Sequence, residues 1–153
     1  MNRRTFASLL ALAPLAARAG SDELDAERFA ALHADFARRF RYVDAHDECG
    51  SNYCGHTLAQ AQATMRGNCL DYGMVLLAEG RQRAIGGLEA VWCRMVGLPH
   101  LVVVHRPSTL VADTALHDAR PWSRRPDLTD ARVIWPTASS RLAVWDGREG
   151  RIW

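Results

Sequence analysis

The stretch Arg66-Gly67-Asn68-Cys69-Leu70-Asp71-Tyr72 reads as a polar turn running into a helix. Asparagine is a strong N-cap residue and Gly67 breaks what precedes it, so Cys69 is predicted in the first turn. The helix continues through Met74, Val75, Leu76 and Leu77, apolar almost all round for two turns, which predicts the central buried helix. Gly80 ends or weakens it, and Gly86-Gly87 stop it. At a helix start, unpaired backbone N–H groups and the positive end of the macrodipole favour an anion, so a thiolate is stabilised there. Cys69 is therefore the candidate nucleophile, and such a thiol needs a base and a third group to orient that base.

Upstream, Ser21 to Arg41 has the spacing of an amphipathic helix, with Phe29, Leu32, Phe36 and Phe40 as its core stripe. Residues 42–56 are polar and read as a loop carrying His46, Asp47, Glu48, Cys49, Cys54 and His56. Cys49 and Cys54 are expected to close a short disulfide loop. Free thiols or a metal site remain alternatives, although the spacing is not that of a zinc ribbon or finger, and no metal is assigned. Thr57-Leu58-Ala59-Gln60 resembles a capping box opening a short helix to about Met65.

Downstream of Gly87 the periodicity changes to strands. Leu88 to Val96 has strand composition with only partial alternation, Gly97-Leu98-Pro99 turns the chain, and His100 to Val104 is a clear strand. A turn at His105 to Ser108 leads to a return strand over Thr109 to Asp113. Ala119 to Asp130 reads as loop, followed by short strands at Arg132 to Trp135 and Arg141 to Trp145 and an edge or tail at Arg148 to Trp153. Helices followed by a run of strands predict an α+β fold, an antiparallel sheet packed on the Cys69 helix. Cys93 lies within a strand and is expected to be a buried small hydrophobe.

A turn centred between Arg106 and Pro107 pairs Val104 with Thr109, Val102 with Val111 and His100 with Asp113. Directly opposed residues share a face, with Cβ atoms about 4.5–5.5 Å apart. The hairpin thus sets an imidazole beside a carboxylate. The carboxylate would orient His100, and His100 would take the proton of Cys69. His105 is expected in the turn, solvated and facing away from His100, and His117 and Asp118 on the surface.

The N-terminus has the format of a bacterial export signal: a basic start at Arg3-Arg4, an apolar run from Phe6 to Ala17, and the small-x-small site Ala17-Arg18-Ala19. Residues 1–19 are read as the signal and 20–153 as one domain. Arg3-Arg4-Thr5-Phe6 also suits the twin-arginine route. The apolar run is too short to span a bilayer, so no stable membrane insertion is expected and the location is periplasmic or secreted. All 19 basic residues are arginine, and loss of Arg3, Arg4 and Arg18 leaves 16 of them against 17 acidic residues. That balance does not recommend nucleic acid as a partner. An oxidising compartment permits the Cys49–Cys54 bridge and leaves Cys69 as the odd thiol.

The run Gly67-Asn68-Cys69-Leu70-Asp71-Tyr72, a histidine at a strand start, and Leu110-Val111-Ala112-Asp113 together resemble the bacterial transglutaminase-like cysteine proteinases. The likeness covers roughly Thr57 to Trp145. It implies a transglutaminase/papain-like core, with Cys69 as nucleophile, His100 as base and Asp113 as the orienting carboxylate. It further implies cleavage of a periplasmic or cell-surface protein or peptide through an acyl-enzyme; the chain is expected to be a monomer. Oxyanion or substrate contacts are assigned to Gln62, Asn68 and Trp122. Some members of that family bind calcium through acids flanking the cysteine; here Asn68 and Leu70 stand in those places and only Asp71 is acidic, so no cofactor is expected. Acyl transfer from the same triad (transglutaminase or amidase chemistry) and a non-catalytic binding module with the same fold are the alternatives.

Overall fold

The computed structural model describes residues 3–50 and 54–135, with the backbone only for 3–19, 49 and 135. Helix α1 (Arg3–Arg39) leads into the two-residue strand β1 (Arg41–Tyr42). Short helices α2 (Ala45–Cys49) and α3 (Leu58–Thr64) follow, then β2 (Arg66–Gly67) and the central helix α4 (Cys69–Gln82). The sheet comprises β3 (Leu88–Met95), β4 (Leu98–His105), β5 (Leu110–Ala112), β6 (Arg120–Pro121) and β7 (Leu128–Trp135), in the order β6-β5-β4-β3-β7 with every pairing antiparallel. This is the expected α+β architecture. Among the described residues no helix is long and apolar enough to cross a membrane.

The aromatic stripe of α1 is core as its spacing predicted: Phe29, Leu32 and Phe36 are fully buried and Phe40 nearly so. Burying each such side chain is worth about 1.5–3 kcal/mol. They meet Leu70, Met74 and Leu77 of α4, and the other side of α4 lies on Leu101 and Val103 of β4. Gly73 permits that approach, because a Cβ there would stand 2.4 Å from Leu101 Cδ2. The opposite face of the sheet has its own apolar cluster, Val91, Cys93, Val102, Val104, Val111 and Leu128, with Trp122 against it. Burial on both faces accounts for the weak alternation of β3, since neither side had to be polar. Cys93 is fully buried, as expected.

The hairpin turns differ from expectation by small steps with a common cause, the tolerance of non-glycine residues for positive φ. Residues 97–99 were expected to turn the chain, but Leu98 and Pro99 already pair with Met95 and Arg94. The turn is Val96-Gly97, with φ of 50° and 83°. The next turn also lies one residue later than expected, over Arg106 to Thr109, with Thr109 at φ 56°. The register is therefore Val103↔Ala112, Val104↔Val111 and His105↔Leu110. His105 is not solvated: it ends β4 fully buried, 6.1 Å from the Phe29 ring, with Nδ1 2.6 Å from Ser108 Oγ. The change of register is two residues. An even slip keeps His100 and Asp113 on a common face, as diagonal rather than direct neighbours.

Elsewhere the 42–56 segment contains α2, capped by Asp44, and residues 119–130 hold β6, one 3-10 turn at Trp122–Arg124 and the start of β7. The strand expected at Arg141 to Trp145 and the tail at Arg148 to Trp153 lie outside the described residues.

Val96 is β-branched, 85% exposed and held at positive φ, a conformation that costs an ordinary L-residue about 1–2 kcal/mol. Val96→Asn, which suits a type I′ turn, is expected to stabilise the protein by about 1 kcal/mol, seen as a higher urea midpoint at unchanged slope.

Candidate active site

Cys69 opens α4 because the turn before it is closed by a reciprocal set of three hydrogen bonds. Asn68 Oδ1 accepts from the N–H of Leu70 at 2.9 Å and of Asp71 at 3.4 Å, and Asp71 Oδ2 accepts the N–H of Asn68 at 3.0 Å. Asn68 Nδ2 also donates to the carbonyl of Cys54. Gly67, at φ 151°, is required there: a Cβ would stand 2.1 Å from Asp71 Oδ2. The parallel pair β1–β2 ties this turn to the end of α1, with Val43 N–H donating to Gly67 O at 2.8 Å.

Cys69 and His100 line one cleft of about 180 Å³ together with Asn68, Tyr42, Asp44 and the apolar Trp92, Met95 and Leu98. His100 is nearly buried and its Nε2 lies 2.7 Å from Asp113 Oδ1, while Asp113 is fully buried. With Nε2 committed to the carboxylate, Nδ1 is the ring nitrogen left for the thiol, and a hydrogen bond with Cys69 contributes to the proton affinity of His100. Burial alone would lower that affinity. It is outweighed by the hydrogen bonds to Asp113 and Cys69 and by their charges, which push His100 up to about 9. Burial opposes ionisation of Asp113, but His100, the N–H of Ala115 and Arg125 hold its carboxyl well below the usual carboxylate range. Tyr42 is pushed up to about 12, chiefly by burial and then by Cys69, so it faces the cleft as a neutral phenol.

The structure therefore brings together Cys69, Asn68, His100 and Asp113. It does not bring Trp122 to them: Trp122 lines a separate cavity of about 240 Å³ with Val91, Val104 and Val133. Gln62 is half-buried on α3 and is not part of the cleft wall. Gln60 is spent on the capping box of α3, accepting the Thr57 N–H at 3.0 Å. His117 and Asp118 are exposed. Cys93 is pushed up to about 12 by burial and stays a neutral thiol. Cys69 and Cys93 are free, whereas the side chain of Cys49 lies outside the described residues.

Two groups near the site went unread in the sequence. Arg125, buried just after the 3-10 turn, places Nη2 2.5 Å from Asp113 Oδ2 and 2.8 Å from Asp127 Oδ2. Its only sequence mark is an aspartate two residues on, which is common in loops. His33 of α1 is fully buried with Nδ1 2.6 Å from the Tyr72 hydroxyl, and the charge of Asp113 acts on both.

Calcium is implied by the family resemblance, and Asp71 tests its fit. Glu48, His56 and Asp71 have ligand atoms within 4.8 Å of one another. Both Asp71 oxygens are already engaged, Oδ1 by the His56 N–H at 2.6 Å and Oδ2 by the Asn68 N–H and the His56 ring. Arg66 lies 3.6 Å from Glu48. Calcium takes six to eight oxygens, and here an imidazole and a guanidinium crowd two carboxylates. The residues do not fit calcium.

No protein-family model matches the chain, and no curated protein matches it. Solved structures do. Legionella pneumophila LapG is similar at TM-score 0.58 and 16% identity over 73% of this chain and 64% of that one. Its EGTA-treated form matches at 0.56 and 16% over 69% and 60%, and its calcium-bound form at 0.53 and 16% over 71% and 62%. At this identity the likeness is one of fold, a transglutaminase-like core. The chain spans about 60–64% of the length of the LapG chains it matches.

Because the folded protein holds the His100 proton more tightly than the unfolded chain, whose ordinary value is 6.5, the stability this confers is complete below about pH 6.5. It is lost as pH rises through about 9. Urea unfolding across that window is expected to show stability falling with pH, and the fall is expected to shrink in His100→Gln. Added calcium or EGTA is expected to leave the melting temperature unchanged.

Proposed function

We propose that this chain is an exported cysteine peptidase in which Cys69 is the nucleophile, His100 the proton carrier and Asp113 the group that orients it. The observation carrying the reading is the 2.7 Å contact between His100 Nε2 and Asp113 Oδ1 at the cleft that Cys69 also lines. It leaves Nδ1 as the ring nitrogen available to the thiol and favours imidazolium, the partner a thiolate needs. The similar solved structures are of a cysteine protease, which supports the same chemistry from the fold.

In this mechanism the Cys69 thiolate attacks a peptide carbonyl. The developing oxyanion is met by the Cys69 backbone N–H at the positive end of α4. The carboxamide of Asn68 serves the cap through its oxygen and the Cys54 carbonyl through its nitrogen, so its part is to hold the turn. His100 Nδ1 passes its proton to the leaving amine, giving a thioester. It then takes a proton from water, which attacks the thioester and releases the acid and the Cys69 thiolate. Asp113 stays ionised throughout, fixing the ring and balancing its charge. The apolar wall of Trp92, Met95 and Leu98 would receive an uncharged side chain of the substrate. Residues 1–19 are proposed as the export signal, and Cys49–Cys54 as a disulfide formed after export.

Iodoacetamide labelling tests the thiol without knowledge of the substrate. Cys69 is expected to react faster than free cysteine at pH 6, and His100→Ala to remove that advantage. Casein digestion is expected to vanish in Cys69→Ala and to fall by about 10³–10⁴-fold in Asp113→Asn. A Cys69 that stays inert in the folded protein would leave the non-catalytic module as the function.

A further inference from the structure

We propose that Arg125 is a positioning residue of the proton relay that acts through charge: it withdraws part of the Asp113 carboxylate from His100 and so keeps the His100 proton releasable. The proposal rests on the triad reading above and adds a fourth member that reaches no substrate.

The geometry separates this role from simple anchoring. Asp113 uses its two oxygens differently. Oδ1 faces His100 Nε2 at 2.7 Å and also accepts the Ala115 N–H at 3.1 Å, with Thr114 Oγ1 at 3.3 Å. The orientation of the carboxylate toward His100 is thus supported from its own loop. Oδ2 is taken by Arg125 at 2.5 Å. Arg125 is 5% exposed and Asp113 is 0% exposed, so the contact is little screened by water. A second carboxylate, Asp127, binds the same guanidinium through Nε at 3.0 Å and Nη2 at 2.8 Å. One cation is therefore divided between a buried aspartate and a half-exposed one.

The other titratable groups around the pair do not supply this charge. Cys69 acts on His100 from α4, Cys93 on β3 and Tyr72 on α4 are a neutral thiol and phenol held so by burial, and the part-exposed Tyr42 on β1 is a neutral phenol. His33 on α1 is buried, and burial disfavours its charged form. Arg125 is the fixed cation in contact with Asp113 among the described residues. Without it, a neutral His100 would leave Asp113 as a lone buried anion, which is costly, so the pair would cling to its proton. A base that cannot release its proton to the leaving amine is a poor acid in acylation.

The sign is therefore testable in both directions. In the full chain carrying Cys69→Ala, the His100 ring is titrated by NMR. Arg125→Met is expected to raise the His100 pKa by about one unit, a tenfold gain in proton affinity, and Arg125→Lys to restore most of it. Asp127→Asn leaves the guanidinium less neutralised and is expected to lower the His100 pKa. An unchanged or lowered value in folded Arg125→Met, or a raised or unchanged one in Asp127→Asn, overturns the proposal. If Arg125→Met does not fold, the sign in Asp127→Asn decides alone. Because Cys69 is absent from these proteins, the titration stands whatever the labelling experiment says of the peptidase reading.

Discussion

The reciprocal cap at the start of α4 is the constraint on which the site depends. Asn68 and Asp71 each satisfy the other's end of the turn, and Gly67 is pressed against the Asp71 carboxylate so closely that no side chain fits. Three orphan donors are satisfied by this device, which fixes where the helix begins. Because the first helical residue is Cys69, the same bonds decide where the thiol stands. Asp71 does so at a cost, since burial pushes its proton affinity up and the N–H groups of His56 and Asn68 only partly offset this. The carboxylate that could have faced a cation is instead consumed by backbone.

How much of this was legible follows the range of the interactions. The cap at Asn68, the capping box at Thr57 and the Phe stripe of α1 are decided within four residues of sequence, and each is present. The His100–Asp113 pair was legible through strand alternation. The expected register was two residues out, and the pair survived because side-chain direction repeats every two residues. A turn holding Thr109 at positive φ is what local preference did not foresee. Arg125 and the burial of His105 were illegible for another reason. His105 is buried against Phe29 of α1, far away in sequence, and Arg125 meets Asp113 across an irregular loop, so neither carries a periodic or spacing signal. Trp122 shows the same limit: it was assigned to substrate contact, but it packs against the cluster on the opposite face of the sheet.

The electrostatics of the site grade from dry to wet in a consistent direction. Asp113 is fully enclosed, His100 nearly so, and Cys69 partly open to the cleft. Charge that would be costly at the closed end is met by Arg125, and that guanidinium is in turn tied to Asp127 at the edge. A buried ion pair is weak evidence for stability, because desolvation offsets attraction. Its retention at this place is better understood as a setting of proton affinity than as a brace.

The eight-pair ladder between β3 and β4, closed by only two residues, has a bearing on the order of assembly. Closing a short loop sacrifices little chain entropy, so this hairpin is a natural early structure, whereas β7 reaches β3 only after the chain has run through β4, β5 and β6. On that kinetic hypothesis His100 is laid down in the nucleus and Asp113 follows through the short β4–β5 turn, while Arg125 and Asp127 arrive late. φ-values near one for Val91 and Val102 and near zero for Leu128 would bear it out, and the reverse pattern would refute it. A chain stalled between the two stages would carry a formed hairpin and an exposed thiol without the charges that govern its proton.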